Sequence, residues 1–548
     1  MNKLLLYWNT LKYLKPIQIF GRIFSVLKKK FGIVKLASIP SDLKSRLVSK
    51  TNFIFHEPWN NKDELIKGNF TFLNETEVLS FPPKWDYDDT SLLWKFNLHY
   101  FNYLFLLNKK EQLQICYDWI EKNAVGKGIA WHPYVISLRL MSWCKIGFDD
   151  EKINRSIYQQ VSYLYRNLEY YHPANHYLEN ARALIFAGLY FRDQEEAGKW
   201  LKKGLEIYLK EAPKQVLIDG GYFERSTMYH AIMLEGYLDI INIIPLENIY
   251  RSFFVDTAKK MLSFLVSMTH PDGNISLFND STQEIAPTTK ELFAYASKLN
   301  ISHTNADSQS FNQPYIQSFN DSGYYVYRDN QIYISLDGGT VGPDFIPAHA
   351  HADIFSYELS VNGVQLIVDS GVYEYKSSNI RNYVRSTKAH NTLTIDGKDQ
   401  AECWGGFRVA RRFKPYDVSF VEKNDKVFFE GKFDGYSRLI GDNLIHQRKI
   451  EIEKGSSEIT VSDEVTGSSK HLVESFIHLH PEVRIEEVDN SLILSRNNIS
   501  IKFLIFNFEF LIENGWYFPE FGKKIKNKVI KIYINQLPCK LTYKFMLK

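Results

Sequence analysis

The most chemically suggestive stretch of the sequence reads HAHAD and contains His349, His351 and Asp353. Alternate residues of a β-strand face the same way, so a strand here would place these three side chains on one face. Two neighbouring imidazoles are costly to bury without a ligand or a hydrogen-bond partner. Asp369 and His390 follow along the chain, and two imidazoles with a carboxylate form a ligand set that suits zinc. A hydrogen-bonded cluster of histidines and carboxylates is the alternative.

A second polar group falls in the stretch PANHYLEN, which contains Asn175, His176 and Glu179. His176 and Glu179 are separated by one helical turn and would share a face of a helix. Asn175 opens that helix and could simply cap it. A capping box would require an acidic residue at Leu178, so such a box does not explain Glu179. Two interpretations remain open. Asn175 could cap the helix while His176 and Glu179 form a surface pair, or all three residues could form a functional cluster.

Two further stretches carry groups that could act on a polar ligand. In DGGYFERSTMYH, a glycine-rich turn leads into a predicted helix and supplies Arg225, Tyr229 and His230. Tyr229 and His230 would point about 100° apart on a helix, so only one is expected to face a given site. A buried Tyr-His pair is the alternative. In RNYVRST, Tyr383 and Arg385 would share a face of an extended segment, and arginine binds carboxylates through its bidentate fork.

The elements that must position these groups change type near residue 310. Before it, apolar residues recur with helical spacing, and breaks such as Pro213 separate the windows, which predicts helix pairs arranged as a toroid. The predicted helices cover 131–146, 157–170, 177–190, 197–209, 229–244 and 253–268. After a polar linker at 300–322 the period becomes two, which predicts a β-sandwich. The predicted strands are two runs within 324–336, a hairpin at 357–369 with Asn362-Gly363 at its tip, and 391–395, 427–433, 445–453, 458–465, 491–494 and 529–534.

The composition excludes several classes of protein. The 548 residues include 66 Lys+Arg and 63 Asp+Glu, a net charge of +3, so binding of nucleic acid through bulk charge is not expected. Hydrophobic residues make up 45% and charged residues 24%, which excludes wholesale disorder. The four cysteines are far apart, so neither a disulfide framework nor a cysteine zinc site is expected. No stretch is long and apolar enough for a transmembrane helix.

The first 35 residues form a basic, amphipathic segment. Asn9 and Lys12 interrupt its apolar run and no small-residue cleavage site follows, so we do not interpret it as a secretory signal. We expect the protein in the cytoplasm or on the cytoplasmic side of a membrane, and a periplasmic location stays open. The segment is expected either to pack on its own protein or to contact an anionic membrane surface peripherally. The sequence does not specify the oligomeric state.

Taken in order, these motifs resemble the heparinase II/III family of polysaccharide lyases and its alginate-lyase relatives. The order is Asn-His-x-x-Glu, Gly-Gly-Tyr-x-Glu-x-Ser-x-x-Tyr-His, His-Ala-His-Ala-Asp, Asp-Ser-Gly-x-Tyr and Arg-Ser-Thr-x-x-His-Asn-Thr. The resemblance implies an α+β multidomain fold, in which an incomplete α/α toroid precedes an antiparallel β-sandwich and the active site lies between them. We therefore expect a helical extension at 1–90, a toroid domain at 91–310 and a sandwich domain at 311–548.

The resemblance also implies catalytic roles. Tyr229 and His349 match the catalytic tyrosine and histidine, and Asn175 and His176 match the group that neutralises a substrate carboxylate. In a uronate the C5 proton becomes removable when hydrogen bonds stabilise the enolate that develops on the carboxylate. A base must then reach C5, and an acid must protonate the departing O4. We assign Tyr229 as the acid, and as the base too when both groups lie on one face; His349 is the base for the opposite face.

The remaining assignments concern binding rather than proton transfer. Side chains assigned to the substrate are Glu179, which matches an acidic residue of the heparinase II branch, Tyr383, which matches a cleft tyrosine, and Arg225, His230 and Arg385. The resemblance implies a zinc ion that is mainly structural. Its implied ligands are His351, Asp369 and His390.

The activity that the resemblance implies is β-elimination on an acidic, uronate-containing polysaccharide. The opening YWNTLKYLKPIQIFGR resembles that of heparinase-like proteins encoded among surface-polysaccharide genes. This implies a capsule, O-antigen or exopolysaccharide as the substrate. A uronyl C5-epimerase is one alternative, because it abstracts the same proton and reprotonates the other face. A non-catalytic polysaccharide-binding or assembly protein is the other.

Overall fold

The chain forms a helical part followed by a part built from antiparallel sheets. The computed structural model describes residues 3–31, 36–49, 51–301, 315–455, 458–468, 470–489, 491–506 and 508–547. Most of the predicted linker, residues 302–314, lies outside these ranges. The helices described are α1 (Lys3–Leu11), α2 (Pro16–Lys30), α3 (Lys62–Ile66), α4 (Leu92–Tyr100), α5 (Lys109–Lys122), α6 (Pro133–Ile146), α7 (Glu151–Arg166), α8 (Asn175–Tyr190), α9 (Glu195–Gln215), α10 (Thr227–Ile243), α11 (Arg251–Ser267), α12 (Thr289–Lys298), α13 (Asn379–Val384) and α14 (Gly435–Ile440).

Almost the whole circumference of helix α8 is buried, which indicates that it lies at the centre of the helical part. Every residue from Leu178 to Tyr190 is buried, and the helix packs against both α6 and α9. Gly204 of α9 permits a close approach, since a Cβ there would lie 2.7 Å from the carbonyl oxygen of Ala181. This packing fixes the N-terminal turn of α8, which carries Asn175 and His176.

One predicted helix boundary is wrong. The sequence predicts a break at Pro213, but α9 continues through it and ends at Gln215. A proline removes one backbone donor and presses on the preceding turn. Pro213 lies in the last turn of α9, where only two helical residues follow, so little of the helix depends on the lost hydrogen bond. The helix ends where the N–H of Val216 donates to the carbonyl oxygen of Ala212 at 2.8 Å.

The second part consists of many short strands. The strands described along the whole chain are β1 (Asn69–Phe72), β2 (Glu75–Val78), β3 (Tyr315–Phe319), β4 (Tyr324–Arg328), β5 (Ile332–Asp337), β6 (Tyr357–Val361), β7 (Val364–Ile367), β8 (Leu393–Ile395), β9 (Cys403–Trp404), β10 (Arg408–Val409), β11 (Tyr416–Lys423), β12 (Lys426–Phe433), β13 (Ile445–Glu453), β14 (Glu458–Thr466), β15 (Val473–His478), β16 (Arg484–Val488), β17 (Ser491–Arg496), β18 (Ile499–Ile505), β19 (Glu509–Tyr517), β20 (Ile525–Ile534) and β21 (Cys539–Leu547).

Three antiparallel sheets pack together in this part. Their strand orders are β3-β4-β5-β6-β7, β11-β12-β13-β14-β21-β18-β17-β16 and β19-β20-β15-β8. The inner faces of all three contribute to one hydrophobic cluster, as in a sandwich. The predicted hairpin is confirmed: Asn362 (φ 48°) and Gly363 (φ 80°) join β6 to β7, the positive dihedrals that a tight two-residue turn requires. Helices followed by antiparallel sheets confirm the predicted fold class.

Residues 1–90 contain more than the predicted helical extension. They include α1, α2 and α3, but also the two-stranded sheet β1–β2. The α1–α2 hairpin packs on the sheet-rich part, where the indole of Trp404 donates to Thr10 Oγ1 at 3.0 Å and Gln18 donates to the carbonyl oxygen of Phe345 at 3.0 Å. Among the described residues, no helix has the length and hydropathy that a membrane span requires.

Buried polar contacts join the two parts. His270 follows α11, and its ring contacts Glu358 Oε2 at 2.9 Å and Ser360 Oγ at 2.8 Å, both on β6. Glu358 Oε1 also accepts from the N–H groups of Leu277 and Asp369, each at 3.1 Å. All these side chains are buried, so each group depends on its partner for solvation.

Replacing Glu358 with Ala should therefore destabilise the protein. The buried His270 ring and two backbone donors would lose their acceptor, and we expect the free energy of unfolding to fall by about 2–4 kcal/mol in a urea titration. Glu487, an exposed residue of β16, is the matched control, and Glu487→Ala should change it by less than about 0.5 kcal/mol. Equal effects of the two substitutions would contradict this account of the junction.

Candidate functional site

A cleft of about 1930 Å³ lies between the helical part and the sheet-rich part. Side chains from both parts line it, and the α1–α2 hairpin lies along its edge. The lining groups with polar or aromatic chemistry include Tyr134, Asn175, His176, Glu224, Tyr229, His349, Tyr375, Trp404 and Phe407. The cleft thus combines aromatic faces with titratable groups, as ligand sites with a few convergent polar groups do.

Tyr229 and His349 meet across this cleft. The hydroxyl of Ser226 caps α10 by accepting from the N–H of Tyr229 at 3.2 Å, which places Tyr229 in the first helical turn. Its ring lies 4.0 Å from the His349 ring, centroid to centroid, at an angle of 35°. Its hydroxyl lies 3.1 Å from that of Tyr375. Burial and the neighbouring Tyr375 hold the pKa of Tyr229 well above its usual range, so the phenol is protonated at neutral pH.

The strand predicted for the HAHAD stretch is wrong. Residues 349–353 form an irregular loop before β6, so the alternation of a strand does not apply. His349 lines the cleft, whereas His351 is completely buried. His349 Nδ1 lies 2.9 Å from Asp280 Oδ2, and its Nε2 lies 3.9 Å from Glu224 Oε1. In the neutral tautomer that donates its Nδ1–H to this carboxylate, Nε2 carries the lone pair.

Asp280 connects several segments of the site. Its buried carboxylate contacts His349 Nδ1 and His351 Nε2, each at 2.9 Å. It also accepts a bidentate pair from Arg381, with Nη2 at 2.8 Å from Oδ2. Burial alone would raise the pKa of Asp280, but the Arg381 guanidinium and the two imidazole bonds hold that pKa well below its usual range. The carboxylate is therefore ionised and orients both histidines.

His176 and Asn175 lie at the helical wall of the cleft. The His176 ring stacks on Tyr134 with centroids 4.1 Å apart, and its Nδ1 lies 3.1 Å from Glu169 Oε1. Although burial opposes protonation, the Glu169 carboxylate raises the pKa of His176. The same pair lowers the pKa of Glu169 to about 2 in spite of its burial. Asn175 is the first residue of α8, not its N-cap, which is Ala174.

Two predicted substrate residues in the helical part do not reach the cleft. Glu179 is fully buried and pairs with Arg182 Nη2 at 2.8 Å, and burial raises its pKa to about 7. His230 is also fully buried, and its Nε2 contacts the carbonyl oxygen of Met261 at 2.9 Å. For His230 this follows from helix geometry, since it points about 100° away from Tyr229. Glu179 lies one turn further along α8 than His176, where it pairs with Arg182 and does not line the cleft. In this structure neither Glu179 nor His230 is positioned to contact a molecule in the cleft.

The other three predicted substrate residues also lie outside the lining of the cleft. Arg225 donates to the carbonyl oxygens of Thr340 at 2.7 Å and Asp321 at 3.1 Å. Arg385 is buried and donates to the carbonyl oxygen of Ala350 at 3.0 Å. Tyr383 lies on α13, so it does not share an extended face with Arg385, and it packs near Phe518. None of the three lines the cleft.

Sequence reasoning missed several groups that the structure places at the site. Tyr375 follows the Asp-Ser-Gly-x-Tyr motif by two residues, and Glu224 lies inside the motif that supplied Tyr229; both line the cleft. Tyr134, Glu169 and Asp280 lie in stretches without a recognisable pattern. Of these residues, only Glu224 carries a sequence signal, because it lies within the polar motif that contains Tyr229.

A buried group near the cleft has the composition of a metal site. Ligand atoms of His351, Asp353 and His390 all lie within 4.8 Å of one another. His351 Nδ1 and His390 Nε2 are buried without a hydrogen-bond partner. The predicted ligand Asp369 instead contacts the other nitrogen of His390, Nδ1, at 2.7 Å. This geometry replaces Asp369 with Asp353 among the candidate ligands and places Asp369 behind the His390 ring.

The burial of Glu179 generates a prediction about stability. Glu179→Ala would leave the Arg182 guanidinium with a weaker contact to Asp239 Oδ2 at 3.6 Å, and we expect the free energy of unfolding to fall by about 3 kcal/mol. Glu195 in the exposed first turn of α9 provides the control, and Glu195→Ala should leave urea unfolding nearly unchanged. An unaffected stability for Glu179→Ala would reopen a role for this residue at the cleft.

Comparison with known proteins adds the family. The model described as Heparinase II/III N-terminus matches residues 110–305, and that described as Heparinase II/III-like, C-terminal matches residues 312–538. A heparin-sulfate lyase of Pedobacter heparinus is 27% identical over 319 residues, which cover 52% of this chain and 47% of that protein. A heparin-sulfate lyase of Bacteroides stercoris is 25% identical over 421 residues, which cover 71% of this chain and 59% of that protein. The chain therefore spans about half the length of the curated relatives it matches.

Solved structures agree in fold. A mutant heparan sulfate lyase from Pedobacter heparinus is 17% identical with a TM-score of 0.65, covering 96% of this chain and 88% of that one. A heparinase III is 20% identical with a TM-score of 0.67, covering 98% and 90%. At this identity the likeness concerns the fold alone. Because the two family models follow one another in order and together account for most of the chain, the chain belongs to the heparinase II/III family.

Proposed function

We propose that this protein cleaves uronate-containing polysaccharides by β-elimination. The observation that carries the proposal is the contact of Tyr229 with His349, whose ring centroids are 4.0 Å apart in the cleft between the two parts. An elimination requires a base within reach of C5 and an acid within reach of the departing O4 of the same sugar. The relatives that bear the name heparin-sulfate lyase support a substrate of this class.

His349 is suited to remove the C5 proton. Because Asp280 holds Nδ1 at 2.9 Å, the lone pair of Nε2 is available to accept that proton. The electrons of the C5–H bond form the C4–C5 double bond, and the bond from C4 to the departing O4 breaks. Nearby Glu224, whose pKa burial raises, lies 3.9 Å from Nε2, beyond hydrogen-bond distance, so it does not occupy this lone pair.

Tyr229 is suited to protonate the leaving oxygen. Its raised pKa keeps the phenolic proton in place at neutral pH, which favours the acid role over the base role in the resting site. The hydroxyl of Tyr375, at 3.1 Å, can stabilise the phenolate that remains after transfer. The product would carry a double bond between C4 and C5 at its new non-reducing end.

His176 and Asn175 are suited to bind the substrate carboxylate. Glu169 favours the protonated form of His176, so the imidazolium would face the cleft as a cation. Asn175 lies beside it at the N-terminus of α8, where helix geometry favours negative charge. A cation and a polar amide beside the carboxylate lower the energy of the enolate that forms when C5 loses its proton. A capsule, O-antigen or exopolysaccharide as the natural polymer stays a hypothesis that rests on the resemblance of the opening segment.

We also propose a structural zinc ion held by His351 Nδ1, Asp353 and His390 Nε2. Two nitrogen ligands and one carboxylate suit zinc, and the two unpartnered buried nitrogens fit that role. Asp280 and Asp369 bond the opposite nitrogens of the two rings, as carboxylates behind zinc-bound histidines commonly do. When bound, the ion would supply positive charge that compensates the buried carboxylate and fixes the loop that carries His349.

The proposed acid predicts a specific loss of activity. Tyr229→Phe removes only the hydroxyl, and we expect turnover to fall by about 10²–10⁴-fold, measured as ultraviolet absorbance of unsaturated uronate products from a panel of acidic polymers. Tyr383→Phe, the same change on a half-buried tyrosine outside the cleft, should retain nearly full activity. Full activity of Tyr229→Phe would remove the phenol from the mechanism.

The proposed ligand set predicts different metal contents for two isosteric variants. Wild-type protein should hold about one zinc per chain by plasma mass spectrometry, and Asp353→Asn should lose it. Asp369→Asn should retain zinc, with an affinity about 10–100-fold weaker in chelator competition. The reverse order, with zinc kept by Asp353→Asn and lost from Asp369→Asn, would return Asp369 to the ligand set.

A further inference from the structure

The α1–α2 hairpin has two different faces. Its inner face is anchored to both parts of the fold. The ring of Tyr7 lies edge-on to Trp404 with centroids 5.2 Å apart, and Gln18 bonds to the backbone of Phe345. On the helical side, Gly21 packs against Tyr170 and Tyr171. These contacts hold the hairpin in a fixed position along the edge of the cleft.

The outer face of the hairpin presents large apolar side chains to solvent. Trp8, Phe20 and Phe24 are 66%, 70% and 59% exposed. Leu27 and Phe31 extend the row at the spacing of one helix face, and both are exposed. None of these five residues lines the cleft. Several large apolar side chains exposed on one short hairpin are unusual for a free protein surface and mark an interaction site.

The charged residues of the N-terminal segment that contains the hairpin are all basic. Residues 1–41 contain eight Lys and Arg and no Asp or Glu. Lys3, Lys12 and Lys30 are exposed on the described hairpin and do not line the cleft. A second copy of the same surface would repel it electrostatically. Cations that flank a row of Trp, Phe and Leu are instead complementary to an anionic bilayer, where the apolar side chains enter the headgroup boundary and the cations meet the lipid phosphates.

We propose that the outer face of the α1–α2 hairpin docks this protein on anionic lipid bilayers. The inner contacts are already satisfied within the fold, so docking requires no unfolding of the hairpin. Because the same hairpin borders the cleft, docking would hold the cleft opening at the membrane surface. The proposal rests on the hairpin alone and does not depend on the lyase reaction.

Vesicle binding of the full-length protein tests the proposal. We expect wild-type protein to co-sediment with vesicles of phosphatidylcholine containing about 30% phosphatidylglycerol, and to bind vesicles of phosphatidylcholine alone at least about tenfold more weakly. Raising NaCl from about 50 mM to about 500 mM should release most of the bound protein, because salt screens the cationic contribution.

Two matched double variants distinguish specific binding through the hairpin from nonspecific hydrophobic adsorption to vesicles. Phe20→Ser with Phe24→Ser should weaken vesicle binding by about tenfold or more and leave the melting temperature unchanged, since both side chains are exposed. Leu246→Ser with Ile249→Ser alters two exposed apolar residues between α10 and α11 and should bind like wild type. Activity on a soluble polymer should be unaffected by either pair.

Two results would overturn the proposal. One is absence of wild-type binding to the anionic vesicles at low salt. The other is a wild-type dimer in light scattering that becomes monomeric in the Phe20→Ser/Phe24→Ser variant, because a second copy would then be the occupant of this face. Loss of vesicle binding with unchanged turnover would support docking even if the proposed lyase chemistry proved wrong.

Discussion

The buried carboxylate of Asp280 holds the candidate site together. It lies in the loop between α11 and α12 of the helical part, yet its partners His349, His351 and Arg381 all belong to the sheet-rich part. A carboxylate removed from water is costly unless several donors replace the lost solvation, and deleting one partner of such a group costs about 3–5 kcal/mol. One ionised side chain therefore fixes the loop of His349 and helix α13 against the helical part.

This junction explains how two structurally different parts form one cleft. Tyr229 is placed by the capped first turn of α10, and His176 by the packing of α8 between α6 and α9. His349 lies on an irregular loop, which has no regular hydrogen-bond ladder of its own to set its position. The bond to Asp280 supplies that restraint, and the pairs His270–Glu358 and Arg225–Thr340 restrain the same junction elsewhere. Proton-transfer groups need such fixed positions to act on one substrate atom.

The sequence predicts those features that depend on local chemistry. Asn362-Gly363 predicts its hairpin because few other residues accept the required dihedrals, and apolar periodicity predicts the change from helices to strands. The conformation of the HAHAD loop is not predictable in this way. Its alternating pattern is typical of a strand, but the loop is held by a bond to Asp280, which lies 69 residues earlier in the chain. Glu179 and Arg385 carry charges that could bind a polar substrate. In the structure Glu179 instead pairs with Arg182, and Arg385 donates to the carbonyl oxygen of Ala350, and no local sequence pattern reveals these partners. Tyr375 reaches Tyr229 from 146 residues away.

We propose that His349 and Tyr229, which are in contact in the cleft, break the sugar chain by removing a proton, without adding water. The most direct measurement is mass spectrometry of the products formed from a uronate polymer in heavy-oxygen water. Because β-elimination adds no water, we expect fragments with an unsaturated non-reducing end and no heavy oxygen introduced by cleavage. Saturated fragments that carry heavy oxygen would show hydrolysis and contradict it.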